Sequence, residues 1–238
     1  MENLFLTFVL PAYNEEKNVV PLLDSITSAM EKINEKYSLL FVIEGTDNTL
    51  TNIKQYSINH PSIPLKWIYQ EKPIGLTNAF KKGFNNVPSE TTHIVTMDVD
   101  LNHDPLELPL FIEKINEDFD IIIGSRALNK SQVINVPAWK RVISKFANNV
   151  FNKSFRMNIL DKTSGYRVLK VDVANEISQK IKSGNFEGLM EFLLIANKMK
   201  KKMVEVPITL TYREHGETKF NLLSAGLGYT KLFFRYLK

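Results

Sequence analysis

Short apolar runs alternate with amphipathic stretches through the first half of the chain. Residues 4–10, 37–43, 65–69, 93–97 and 121–123 are rich in Val, Ile, Leu and aromatic side chains, which predicts five strands. Between them Val19, Leu22, Leu23, Ile26, Met30 and Ile33 keep helical spacing, as do Leu108, Phe111, Ile112 and Ile115. This order argues for βαβ units and an α/β fold with a mainly parallel sheet, helices on both faces and a ligand crevice at the carboxyl ends of the strands. Polar motifs fall at those ends: Asn14-Glu-Glu, Glu44-Gly-Thr-Asp47, Asp98-Val-Asp100 and Gly124-Ser-Arg126.

After residue 129 the pattern loosens. A polar connection to 135 precedes a predicted helix from 138 to about 152, a strand at 165–169, two helical stretches to about 200 and a strand at 203–210. There is no internal repeat and no Gly/Ser-rich linker, so residues 1–220 are expected to form one catalytic-sized domain. Residues 221–238 form a C-terminal amphipathic helix, in which Leu227, Phe233, Phe234 and Tyr236 interleave with Lys231, Arg235 and Lys238. That mixture suits a membrane-interface segment, and equally a core-packing helix or a partner-binding face.

Composition narrows the chemistry. The 238 residues contain no cysteine, which removes disulfides, thiolate zinc sites and cysteine nucleophiles. No run of eighteen apolar residues is present and the start lacks a secretory pattern, so a cytoplasmic location is expected. The net charge of +4 conceals a division: residues 1–128 carry 10 basic and 18 acidic side chains, whereas 129–238 carry 20 and 8. An acidic half suits a divalent cation and the ligand it bridges; a basic half suits phosphate or an anionic surface. Although the isoelectric point is about 9.0, no helix-turn-helix or RNP-like signature accompanies it, so nucleic acid is not an expected partner.

Asp98, Asp100 and Asn102 occupy alternate positions, so an extended segment would turn all three to one side. Mg²⁺ or Mn²⁺ is bound by such oxygen sets, with positions left for water and substrate phosphates. A solvated acidic turn would contain the same residues, but this one directly ends an apolar strand. Asn14 and Glu16 suit a helix cap and its first turn, a role that accounts for neither Pro11 nor Tyr13.

Taken in order, Leu10-Pro-Ala-Tyr-Asn-Glu-Glu, the Asp-x-Asp at 98, Gly124-Ser-Arg126, Asp161-Lys-Thr-Ser-Gly-Tyr-Arg167 and Glu205-Val-Pro-Ile with Arg213-Glu-His-Gly-Glu-Thr-Lys219 resemble the family 2 glycosyltransferases. Within these they are similar to the polyprenyl-phosphate branch typified by dolichol-phosphate mannose synthase. The resemblance implies a GT-A fold, a nucleotide-sugar donor, a catalytic Mg²⁺ or Mn²⁺, and transfer of a hexose, foremost mannose from GDP-mannose, to dolichyl or polyprenyl phosphate. It also implies a peripheral position on the cytoplasmic face of a membrane and admits a separate membrane subunit as a partner.

Residue by residue, it places Pro11, Tyr13 and Glu15 on the nucleobase and ribose side. Glu44 and Asp47 fall beside the nucleoside, and Asp98, Asp100 and Asn102 on the metal and diphosphate. Arg126, Arg141 and Ser144 match the acceptor phosphate site, and Arg213 and Lys219 a late loop over the donor diphosphate. Two departures stand out: Asn102 replaces a usual Gln, and the segment at Glu44 is one residue shorter, with one acidic residue where two are usual. UDP-glucose or another nucleotide sugar as donor on the same fold, and a non-catalytic module that binds nucleotide sugar or lipid phosphate, are the rival readings. His103 and His215 read as surface or outer-layer residues.

Overall fold

In a computed structural model the chain is described at residues 4–134, 138–211 and 222–237, with the side chains at 138–141, 143–144 and 222–225 left outside that description. The elements in chain order are β1 (Phe5–Tyr13), α1 (Val19–Ile33), β2 (Lys36–Glu44), α2 (Thr49–Asn59), β3 (Leu65–Gln70), α3 (Leu76–Phe84), β4 (His93–Thr96) and α4 (Leu108–Asn116), the last preceded by a 3-10 turn. They continue with β5 (Ile121–Ser125), β6 (Gln132–Ile134), α5 (Ala138–Phe155), β7 (Arg167–Lys170), α6 (Val171–Ser178), α7 (Glu187–Lys198), β8 (Met203–Pro207), β9 (Thr209–Thr211) and α8 (Leu222–Tyr236).

Seven strands form one sheet in the order β3-β2-β1-β4-β7-β5-β8, and β6 and β9 form a separate parallel pair. All neighbours in the large sheet run parallel except β7, which is antiparallel to both β4 and β5. Both faces are covered, as the unbroken apolar runs of the central strands require. Phe8 and Leu10 of β1 enter a core shared with α1, α2 and α4, while Val9 enters the opposite core with α3, α6, α7 and α8. Gly83 lets α3 lie directly on β1, since a Cβ there would stand 2.2 Å from Val9 Cγ1.

The predicted strands and the helices α1 and α4 are present. The expected strand at 203–210 is instead two, β8 and β9, because the chain leaves the large sheet at Ile208 and pairs with β6. The turn into β7 takes up Gly165 and Tyr166, so that strand starts at Arg167. Helix α2 buries only Thr49, Ile53 and Tyr56, too thin a stripe for periodicity to announce it.

Helix α8 is docked on the body. Leu232 is fully buried, and Phe233 meets Phe151 and Phe155 of α5 edge-on at 5.5 Å each. The fully buried Glu191 of α7 accepts hydrogen bonds from Arg235 Nη1 at 3.1 Å and Tyr236 Oη at 2.9 Å. Its opposite side leaves Leu227 and Phe234 exposed. Among the described residues no helix is long and apolar enough to cross a membrane. Loss of a hydrogen bond to a charged group costs about 1.5–3 kcal/mol, so Tyr236→Phe should lower unfolding stability by that amount in urea titration; an unchanged midpoint would mean that the Tyr236 hydroxyl does not help to hold α8 on Glu191.

Candidate active site

The loops after β1 and β2 are knitted together. Asn14 takes a left-handed conformation (φ 52°), its N–H donates to Glu44 O at 3.3 Å, and its Oδ1 accepts from Thr46 N at 3.1 Å. Gly45 (φ 94°) completes the contact, because a Cβ there would stand 2.1 Å from Asn14 Oδ1. Asp47, expected beside the nucleoside, has both oxygens on backbone amides: Oδ1 accepts from Thr49 N and Oδ2 from Glu16 N, each at 3.0 Å. It caps the start of α2 and braces the loop, a role its sequence position does not distinguish from ligand binding.

Glu15 is likewise braced, accepting from Asn18 Nδ2 at 2.7 Å. Pro11 lies within β1 on the strand that carries Tyr13. Tyr13 and Glu44 are register partners, and Glu44 pairs with Gln70, so three side chains line up across the ends of β1, β2 and β3. The buried Glu44 carboxylate is set by Ile74 N, which donates to Oε1 at 2.9 Å. Tyr69, which sequence reasoning missed, stands exposed beside this row with its hydroxyl donating to Gly45 O at 3.1 Å.

β4 ends at Thr96, and the acidic motif follows in a bend, not an extended segment. Leu101 is left-handed (φ 61°), and Asn102 folds back onto Asp100, donating from N to Oδ1 at 3.2 Å and from Nδ2 to Oδ2 at 2.7 Å. The alternate-position geometry is therefore replaced by a compact turn. The Asp98 side chain is 36% exposed, while Asp100 is 7% exposed and Asn102 Oδ1 is buried without a hydrogen-bond partner among the described residues. Gly165 approaches Asp98 so closely that a Cβ would lie 2.9 Å from Oδ1.

Among the described residues no group of three or more His, Asp or Glu side chains encloses a metal site. Two carboxylates and one unsatisfied amide oxygen fit a hard cation that completes its shell with water and substrate oxygens. His103 is not a surface residue. It is buried, with Nδ1 4.0 Å from Asp98 Oδ2, beyond hydrogen-bond range, and burial lowers its pKa to about 4, so the ring is neutral and forms no ion pair.

Arg126 follows β5, and Asp161 grips it. Nε donates to Asp161 Oδ2 at 2.6 Å, Nη2 to Asp161 Oδ1 at 2.7 Å and to Thr163 Oγ1 at 2.6 Å. Burial opposes the Arg126 charge, but attraction and hydrogen bonding by Asp161 outweigh it and raise the guanidinium pKa; Asp161 is held below the usual carboxylate range against its own burial. The fork expected to face phosphate is thus largely spent on Asp161, leaving Nη1 outside these bonds. A contact across 35 residues of sequence leaves no local signal.

The same loop holds more buried charge. Lys162 is fully buried, its Nζ donating to Ile159 O at 2.5 Å and Asn148 O at 3.3 Å, and its own N–H donates to Asn148 Oδ1 at 2.9 Å. Arg167 donates to Ser164 O, Lys162 O and Leu189 O, each at 2.9 Å. Arg141 and Ser144 lie on α5, three residues apart. Their side chains, and the whole of Arg213, His215 and Lys219, lie outside the described residues.

Residues 7–178 match glycosyl transferase family 2. The chain belongs to that family. It is 32% identical over 236 residues to a dolichol-phosphate mannosyltransferase of Pyrococcus furiosus, covering 98% of this chain and 62% of the relative. A dodecaprenyl-phosphate galacturonate synthase of Rhizobium johnstonii is 23% identical, over 93% of this chain and 63% of its own length. The chain thus spans about three-fifths of these curated relatives. Among solved structures, glucosyl-3-phosphoglycerate synthase of Mycobacterium tuberculosis with Mn²⁺, UDP and phosphoglyceric acid aligns with a TM-score of 0.66 at 18% identity, over 97% of this chain and 78% of that one. The fold of this family 2 member is GT-A.

Burial lowers the Lys162 pKa to about 8, with Glu205 and Asp161 opposing it. Between about 8 and the ordinary 10.5 the unfolded chain holds more protons than the folded one, so this group makes stability rise with pH across that window. Urea titrations at pH 8 and 9.5 should show a smaller rise for Lys162→Met than for wild type. Equal slopes would mean that the buried amine titrates normally.

Proposed function

We propose that the chain is a metal-dependent inverting glycosyltransferase that moves a hexose, foremost mannose from GDP-mannose, to dolichyl or another polyprenyl phosphate. The observation that carries this reading is two opposite electrostatic sites at one edge of the sheet, at the ends of β4 and β5 with β7 between them. Asp98 and Asp100 follow β4, and Arg126 follows β5, with the Asp161–Arg167 segment touching both. The names of the relatives support a polyprenyl phosphate acceptor and differ in the sugar.

In this reading the nucleoside lies across Tyr13, Glu15 and Glu44, with Pro11 and Asp47 shaping the loops behind it. Asp98, Asp100 and Asn102 would hold Mg²⁺ or Mn²⁺, which when bound supplies counter-charge to the donor diphosphate. Arg213 and Lys219 add cationic contacts to the same leaving group. Arg126, through Nη1, and Arg141 and Ser144 receive the acceptor phosphate. A phosphate monoester has a second pKa near ~6, so the nucleophile is already ionised at neutral pH and needs no general base. Orientation and charge stabilisation then carry the catalysis, and direct displacement inverts the anomeric centre.

The acceptor in this reading is a lipid, and two helices of the basic half expose apolar side chains. Val142 and Phe146 of α5 are 66% and 70% exposed, and Leu227 and Phe234 of α8 are 64% and 62% exposed. They share the basic half of the chain with the exposed Lys145 and Lys231. Peripheral attachment to the cytoplasmic face of a membrane follows from this reading.

Incubation with radiolabelled GDP-mannose or UDP-glucose, Mg²⁺ or Mn²⁺ and dolichyl phosphate tests the proposal. Mannosyl lipid is the expected product; glucosyl lipid alone would shift the donor, and no lipid product from either would overturn the function. Asp100→Ala should abolish transfer, and near-normal turnover at saturating metal would refute the metal assignment.

Arg141→Ala should leave metal-dependent nucleotide binding intact while transfer falls. A charge-assisted hydrogen bond is worth about 1.5–3 kcal/mol, which is roughly 10- to 150-fold in rate. Arg141→Lys should recover part of this, a point charge replacing a fork. A parallel fall of nucleotide affinity and transfer would move Arg141 to the donor site or the fold.

A further inference from the structure

Glu205 lies in β8, the strand at the edge of the sheet beyond β5. Its two carboxylate oxygens accept from consecutive backbone amides of the loop opposite: Leu160 N to Oε2 at 2.7 Å and Asp161 N to Oε1 at 2.8 Å. Those two amides open the segment whose next side-chain contact is the Asp161 grip on Arg126. The Asp161 carboxylate also accepts from Arg126 N at 3.0 Å and from Thr163 N at 3.2 Å, so its orientation is defined by the backbone on both sides. Nothing in the proposed chemistry uses Glu205, yet it occupies both oxygens in holding this loop.

We infer that Glu205 is a positioning residue for the acceptor site, acting through Asp161 to aim the Arg126 guanidinium. The inference rests on the reading of Arg126 as an acceptor phosphate contact. Its physical basis is the reach of each link. A carboxylate that bridges two successive N–H groups fixes both the position and the tilt of that peptide. Asp161 is 2% exposed and has little room to find another rotamer, so the tilt of its peptide passes to its side chain and thence to a planar fork with two parallel bonds. Lys162, fully buried between the same loop and α5, locks the far side of the segment, so a change at Glu205 is absorbed at Asp161.

The decisive substitution is Glu205→Gln. It keeps size and one acceptor oxygen but replaces the other by an amide group that cannot accept, so one of the two backbone bonds is lost. In the full chain the KM for dolichyl phosphate should rise about tenfold or more, while metal-dependent affinity for the donor nucleoside diphosphate, by calorimetry, stays within twofold. Glu205→Ala, which loses both bonds, should be worse than Glu205→Gln. A brace that served only folding would lower donor affinity and turnover together with the folded fraction, and that parallel loss would overturn the inference, as would an unchanged acceptor KM.

A second measurement does not depend on the substrate. Phenylglyoxal labelling of Arg126, followed by mass spectrometry, should proceed at least threefold faster in Glu205→Gln than in wild type, because the grip of Asp161 is loosened. Equal rates would overturn the link from Glu205 to Arg126 whatever the acceptor is. If wild type labels slowly and the variant quickly but no polyprenyl phosphate is glycosylated, the proposed function fails and the positioning chain stands.

Discussion

A single reversed strand decides which residues of this chain can meet. In a sheet of parallel strands the loops that follow each strand gather at one edge, and a loop that precedes a strand lies at the other. β7 runs against its neighbours, so the loop that precedes it arrives at the edge where β4 and β5 end. The register makes this concrete: Arg167 pairs with both Thr96 and Ile123, the former the last residue of β4 and the latter three residues short of Arg126. Gly165 is thereby set against Asp98, and Asp161 against Arg126. Were β7 parallel, the Asp161–Arg167 segment would emerge at the opposite edge and Arg126 would have no carboxylate.

Three cations and two carboxylates, Arg126, Lys162, Arg167, Asp161 and Glu205, crowd around that loop, and all but Arg126 and Glu205 are 2% exposed or less. Charges buried in this way are costly unless each is bonded. Both carboxylates accept from backbone amides, Asp161 accepts the Arg126 fork as well, and the buried Arg167 and Lys162 rest on carbonyl oxygens. Arg167 and Lys162 thus support the loop through its own backbone, leaving Asp161 to hold Arg126. The pKa shifts follow the same division: burial pulls Arg167 down to about 10 and Lys162 to about 8, whereas Arg126, with a carboxylate partner, is raised.

How much of this was legible in the sequence depended on range. The strands, α1, α4 and the acidic motif after β4 could be read because each is a local pattern of a few residues with its own period. The turn that folds Asn102 onto Asp100 was not legible, because alternate positions share a side only in extended chain and Leu101 adopts a left-handed conformation that no apolar pattern announces. His103 has no partner visible in the local sequence, so its burial was not legible: the ring packs against Tyr166, 5.4 Å between centroids, from the turn that leads into β7. Asp161 and Glu205 stood in motifs the resemblance had marked, but their partners lie 35 and 44 residues away, a distance at which only the topology of β7 and β8 decides contact.

The division of charge along the chain becomes a division in space through the same topology. The acidic first half builds β1 to β5 and supplies Glu44, Asp98 and Asp100; the basic second half builds β7 to β9, α5 and α8. The two meet where β7 enters between β4 and β5, so the seam between halves of opposite sign runs through the strand ends themselves. The proposed reaction joins a phosphate to a donor already bearing a diphosphate and so must bring like charges together, and screening one side with a bound cation and the other with arginine would do so at least cost. Arginine serves only if it is aimed before the anion arrives, since reorientation of a buried fork during the reaction would cost what preorganised donors save. In that reading Asp161 has a use beyond neutralising Arg126. It takes two of the three guanidinium nitrogens and leaves the third fixed in direction, which trades strength of attraction for certainty of position.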